Sequence, residues 1–167
     1  DTSLYPSVDS VDGNTSIWTN ENVTLSINGI IGTKSPSGTI ISKYSFDNGK
    51  TWSTDKTKIF GENGLIYIRV EDSNGNKSDT YVVEINKIDK IPPTLNLPIE
   101  ILQIPVGNVL DLWNGVTYYD NDSGINEDLV TVTPDDTSTL NIGEQQIEYS
   151  ITDNAGNTTV KIRTVNV

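Results

Sequence analysis

The densest acidic stretch of the chain is "YYDNDSGINEDL", Tyr118 to Leu129, in which Asp120, Asp122, Glu127 and Asp128 surround Gly124. Closely spaced carboxylates around a glycine suit a hard cation such as calcium, which takes six to eight oxygen ligands. The spacing is not that of an EF-hand. Counted from Asp120, the glycine falls one position early, and Thr131 stands where a bidentate glutamate belongs. A second acidic cassette, "DNAGNTT" from Asp153, has a close copy in "DSNGNKS" from Asp72. A device that occurs twice points to architecture before chemistry.

Other chemistry is narrowed by composition. With no Cys and no His among 167 residues, thiol and imidazole nucleophiles, Ser-His-Asp relays and thiolate or imidazole metal sites are excluded. The pairs Glu127/Asp128 and Asp135/Asp136 are the remaining candidates for a glycosidase acid and nucleophile. Neighbours on a strand point to opposite faces, however, so they are badly placed to oppose each other across a sugar. Trp18, Trp52 and Trp113, with Tyr44, Tyr118 and Tyr119, offer area for stacking on a sugar ring, yet a sandwich core needs large residues too, and core packing is the favoured reading. The net charge of −12 repels phosphate backbones and anionic lipid, which argues against nucleic acid as a partner. No stretch approaches the ~20 apolar residues of a membrane span. The chain starts at Asp1 without a leader, as an excised piece of a longer protein would.

The elements that position these residues are strands. Setting Asp72 on Asp153 aligns Ile66, Ile68 and Val70 with Ile147, Tyr149 and Ile151, an offset of 81 residues, and each trio alternates with more polar neighbours. That is the period of a strand with one buried face. A β-rich run follows each Gly-Asn, "KSDTYVVEI" from Lys77 and "TTVKIRTVNV" from Thr158, so each cassette reads as a hairpin turn with glycine at the positive-φ position. Further strands are expected at Val23 to Ile27, on both sides of Asp47-Asn48-Gly49-Lys50 between Ile41 and Ser53, after "GENG" at Gly61, and near Thr94, Val116 and Leu129. Nothing sustains a helical period. The expectation is an all-β chain of two tandem sandwiches, residues 1–89 and 90–167, joined by a short linker stiffened by Pro92-Pro93.

"KYSFDNGKTW" with "IRVEDSNGN", and "IPPTLNLP", "LDLWNGVTYYDND" and "EQQIEYSITDNAGNTTVKIRTVNV", resemble tandem bacterial immunoglobulin-like domains of secreted and cell-surface proteins. The stretch from Pro92 to Val167 resembles in particular the surface-protein Ig-like repeat also found in a pesticidal crystal protein. The resemblance implies an extracellular module, secreted or attached to the wall of a Gram-positive bacterium. Its role would be spacing, display or adhesion beside neighbouring domains of the same polypeptide, with no catalysis of its own even as an accessory region of a secreted enzyme. A rival expectation is a module binding a glycan or host surface protein through exposed aromatics or loops. An isopeptide crosslink through Lys43 or Lys161, a feature of some surface Ig-like domains, is disfavoured because Lys161 alternates with Val160 and Ile162 and should face water. In an Ig-like sandwich the loops at one pole gather, so Asp120, Asp122 and Asp153 are expected beside Asp89, holding calcium at the interdomain joint.

Overall fold

The computed structural model describes residues 6–31 and 40–167. Among them every regular element is a strand apart from one 3-10 turn, Thr137–Thr139. The chain is all-β, and it divides into two compact units. The first comprises the residues up to Ile17 together with Glu21–Ile88; the second comprises Trp18–Asn20 with Asp89–Val167.

In the first unit, β1 (Ser7–Asp12), β2 (Val23–Ile31) and β4 (Thr57–Phe60) form one sheet in the order β1-β2-β4. The strands β3 (Ile41–Ser45), β5 (Gly64–Asp72) and β6 (Tyr81–Ile85) form another in the order β3-β5-β6. Alternation decides what each strand buries. On β5, Ile68 and Val70 are buried while Leu65 and Tyr67 stay exposed, and β2 contributes Val23, Leu25 and Ile27 to the core. The turn at Asp47 is held by its carboxylate, which accepts from the Ser45 hydroxyl and from both the amide and the hydroxyl of Thr51. Beyond that turn the chain makes only an isolated bridge, Tyr44 to Ser53, where a full second strand was expected.

The second unit pairs β10 (Ile125–Thr133), β11 (Glu144–Asp153), β12 (Thr158–Asn166) and β8 (Leu102–Gln103) in the order β10-β11-β12-β8. A two-stranded sheet, β7 (Thr94–Asn96) with β9 (Thr117–Tyr119), completes it. Its core collects Leu95, Ile104, Leu112, Ile147, Tyr149, Ile151 and Val165. Trp113 packs edge-on to Tyr149 at 5.2 Å between ring centroids, and Trp52 in the first unit is half-buried with its indole N–H on the Gly49 carbonyl. Aromatic placement thus follows the packing expectation at these two positions. Pro92 and Pro93 lie inside the second unit, where Pro93 is buried and its carbonyl accepts from the Thr159 hydroxyl.

Strand β12 departs from its expected face. The register sets Lys161 opposite Tyr149 and Arg163 opposite Ile147, and directly paired residues share a face. Lys161 and Arg163 therefore stand on the core side of the sheet, and Val160 and Ile162, about half exposed, stand on the other. Lys161 keeps solvent exposure by snorkelling to the edge, where Nζ donates to the Leu95 carbonyl at 2.7 Å.

Candidate metal centre

The inward alternation of β5 and β11 does not stop at their last apolar residue. It carries Asp72 and Asp153, the first residues of the two cassettes, onto the buried face, with 2% and 1% exposure. A buried carboxylate is costly unless it is hydrogen-bonded, and the turn provides the donors. Asp153 Oδ1 accepts from the amides of Ala155 and Asn157, and Asp72 Oδ1 from those of Asn74 and Asn76, all at 2.9 Å. Gly156 makes the corner at φ 95°, in the left-handed region that glycine occupies without strain. Both cassettes are hairpin turns.

Among the described residues, the cassette of the second unit joins a cluster of three carboxylates. Asp89, at the start of that unit, is 2% exposed and accepts from the amides of Ile91 and Ser123. Asp120, which directly follows β9, accepts through Oδ1 from the amides of Asp122 and Gly124. One carboxylate oxygen from each of Asp89, Asp120 and Asp153 lies within 4.8 Å of the others. Asp122 is exposed and outside the group; its amide caps Asp120.

Two amide side chains and loop hydrogen bonds fix the cluster. Asn157 donates from Nδ2 to Asp153 Oδ2 and to the Asp89 carbonyl, while Asn154 donates its amide to the Gly124 carbonyl and its Nδ2 to the Ser123 carbonyl. The Asp89 amide in turn donates to the Thr19 carbonyl. Burial pushes the Asp89 carboxyl up, but bonds from the Ser123 side chain and from the Ile91 and Ser123 amides outweigh it and hold its pKa below the ordinary value. Asp89 is therefore ionised at neutral pH.

Chemically, the arrangement offers hard, oxygen-only donors. Two ligands on opposite sides of a calcium ion at ~2.4 Å stand ~4.8 Å apart, so three oxygens within that limit can share one ion. Among the other acidic candidates, Asp136 caps the 3-10 turn through Ser138 and Glu127 accepts from the Tyr118 hydroxyl, and Tyr118 is raised by burial first and by Glu127 second. Asn157, Asn154 and Ser123 are the parts that sequence reasoning missed. The repeated Asn of the two cassettes, Asn76 and Asn157, was the available signal.

Residues 88–167 match the HYR domain family, a span that begins one residue before the second compact unit resumes at Asp89. No curated protein matches the chain. Among solved structures it is similar to the fibronectin(III)-like modules of Clostridium thermocellum CbhA, at 18% identity over 95% of this chain and 94% of that one, with a TM-score of 0.41. No helix among the described residues is long and apolar enough to cross a membrane.

Proposed function

We propose that the chain is a pair of tandem immunoglobulin-like sandwiches that serves as a non-catalytic spacer or display module, with an adhesive role open to it, in a larger extracellular bacterial protein. The HYR match over residues 88–167 carries this reading, because HYR domains are generally non-catalytic modules of extracellular proteins. The partners are then the neighbouring domains of the same polypeptide, and the compartment is the outside of the cell, by secretion or by attachment to a Gram-positive wall. In this reading the second unit is a repeat of the kind that its motifs resemble, the surface-protein Ig-like repeat also found in a pesticidal crystal protein, with Pro92-Pro93 near its start.

In this reading calcium has a mechanical task. Bound by Asp89, Asp120 and Asp153, it would tie the start of the second unit to the β9–β10 loop and the β11–β12 hairpin, and relieve the repulsion of three gathered carboxylates. Calorimetric titration of chelator-treated protein is expected to give one site per chain with a Kd of roughly 10⁻⁴ to 10⁻³ M, the range of extracellular modules. A flat titration removes calcium from the reading. Turnover of polysaccharide or peptide substrates by the purified chain would remove the non-catalytic module itself.

A further inference from the structure

Strand β12 ties down the segment from Pro93 to Gln103 with alternate residues of its core-side face. Thr159 donates to the Pro93 carbonyl at 2.6 Å and Lys161 to the Leu95 carbonyl at 2.7 Å, while Val165 is bridged to Leu102 in parallel register. Arg163 is the step between these anchors. It is only 8% exposed, and its Nε is buried without a hydrogen-bond partner. A buried N–H donor with no acceptor is costly, and the long basic side chain of Lys161 on the same face has found one.

The place where an acceptor is missing is also where the protein is open. Between Leu95 and Leu102 the chain leaves the strand edge, with Ile99 fully exposed and Ile101 more than half exposed, and a groove of about 450 Å³ runs past Arg163. Its walls are the apolar Pro98, Leu102 and Leu110, and its remaining polar groups include Gln103, Asp111 and Asn114. That size and mixture suit a small ligand held by a few fixed polar contacts.

We propose that this groove binds an acidic sugar residue, its carboxylate on the Arg163 guanidinium and its hydroxyls on Asp111, Asn114 and Gln103. The guanidinium fork matches a carboxylate with two parallel hydrogen bonds. The groove's own acids do not fill that role: neither Asp111 nor Glu100 makes an ion pair with Arg163, and Asp111 Oδ1 already accepts from the Trp113 amide at 2.9 Å. Their free oxygens want donors, which the hydroxyls of a sugar supply in number and a peptide supplies sparsely. The net charge of −12 repels polyanionic chains, so the acid is a single uronic-type residue carried on an otherwise neutral glycan.

The chain has two arginines, Arg69 and Arg163, so nitrogen-edited NMR of the Nε–H region resolves the site directly, and Arg69→Lys assigns it. Titration with D-glucuronic acid, in chelator to keep calcium out, is expected to shift the Arg163 resonance to saturation. Acetate and methyl glucoside, each with half of the recognition, are expected to bind at least tenfold more weakly. Asn114→Ala and Asp111→Asn, on the exposed rim, are expected to weaken glucuronate several-fold with the fold intact by circular dichroism, and Arg163→Gln by about ten- to hundred-fold. A resonance unmoved by glucuronate overturns the proposal, as does one that moves only when Glu100→Gln or Asp111→Asn removes an internal partner. Acetate binding as tightly as glucuronate, or an acidic tripeptide binding more tightly, overturns the sugar assignment.

Discussion

The side-chain amide of Asn157 donates to the main-chain carbonyl of Asp89 across 2.9 Å, joining the β11–β12 hairpin to the first residue of the second unit's main segment. The same nitrogen donates to Asp153 Oδ2 at 2.8 Å. One residue of the turn therefore closes the corner and clips the incoming chain.

Asn157→Ala removes these bonds, and a longer one to the Ile91 carbonyl, and leaves the Asp89 carbonyl unmet, which costs about 1–2 kcal/mol. At Asn76, the matching residue of the first unit, Nδ2 donates among the described residues only to Asp72 Oδ2, at 3.1 Å. Chemical denaturation is expected to show a clearly larger loss for Asn157→Ala than for Asn76→Ala. Equal losses would mean that the clip to Asp89 contributes nothing.

Tyr149 is fully buried, and its hydroxyl donates to the Leu112 carbonyl at 2.6 Å while Trp113 stands edge-on to its ring. Tyr149→Phe keeps the ring packing and orphans the carbonyl. The expected cost is about 1–2 kcal/mol in denaturant midpoint with the near-ultraviolet dichroism of the aromatic cluster retained. Tyr149→Ala is expected to cost about 3–5 kcal/mol through the cavity it opens.

Asp47 is held at a pKa of about 2 by the hydroxyl and amide of Thr51, with the Ser45 hydroxyl adding to them. Because the folded value lies below the ordinary value of 3.8, the stabilisation is fully present above that pH and is lost as pH falls toward 2. Thr51→Val removes the hydroxyl bond but not the amide bond. Its stability is expected to approach that of the parent as pH falls from about 4 to 2, and a gap that stays constant over that window would show that the carboxylate is not responsible.

The strands with clean alternation were legible from sequence: β5 and β11 show a period of two because one face is buried, and the runs after each cassette were placed as strands although the face of β12 was reversed. Others were not. In "SVDSVD" a register shift between Val8 and Val11 breaks the period, so β1 carries no alternating pattern, and β8 has only two residues. Strand β4 exposes Ile59 and so offers no one-sided pattern either. For the site, Asp89, Asp120 and Asp153 could be nominated because they start or flank loops at one end of a sandwich. Burial of Asp153 was hidden because an acid at the end of an apolar alternation reads as a turn residue in water. Arg163 was hidden for a related reason. A basic residue two places from Lys161 looks like the solvated face of β12, and only the register with Ile147 and Tyr149 reveals the opposite.

Asp120→Asn tests most directly whether the gathered Asp89, Asp120 and Asp153 hold a cation. Its Oδ1 can still accept from the amides of Asp122 and Gly124, while one charge of the cluster is gone. In chelator the variant is expected to melt at or above the parent, since like charges are relieved. In about 10 mM calcium the parent alone is expected to rise, by roughly 5 °C or more for the second unit. A parent melting curve that calcium leaves unmoved, or an Asp120→Asn variant that gains as much from calcium as the parent, would contradict the account.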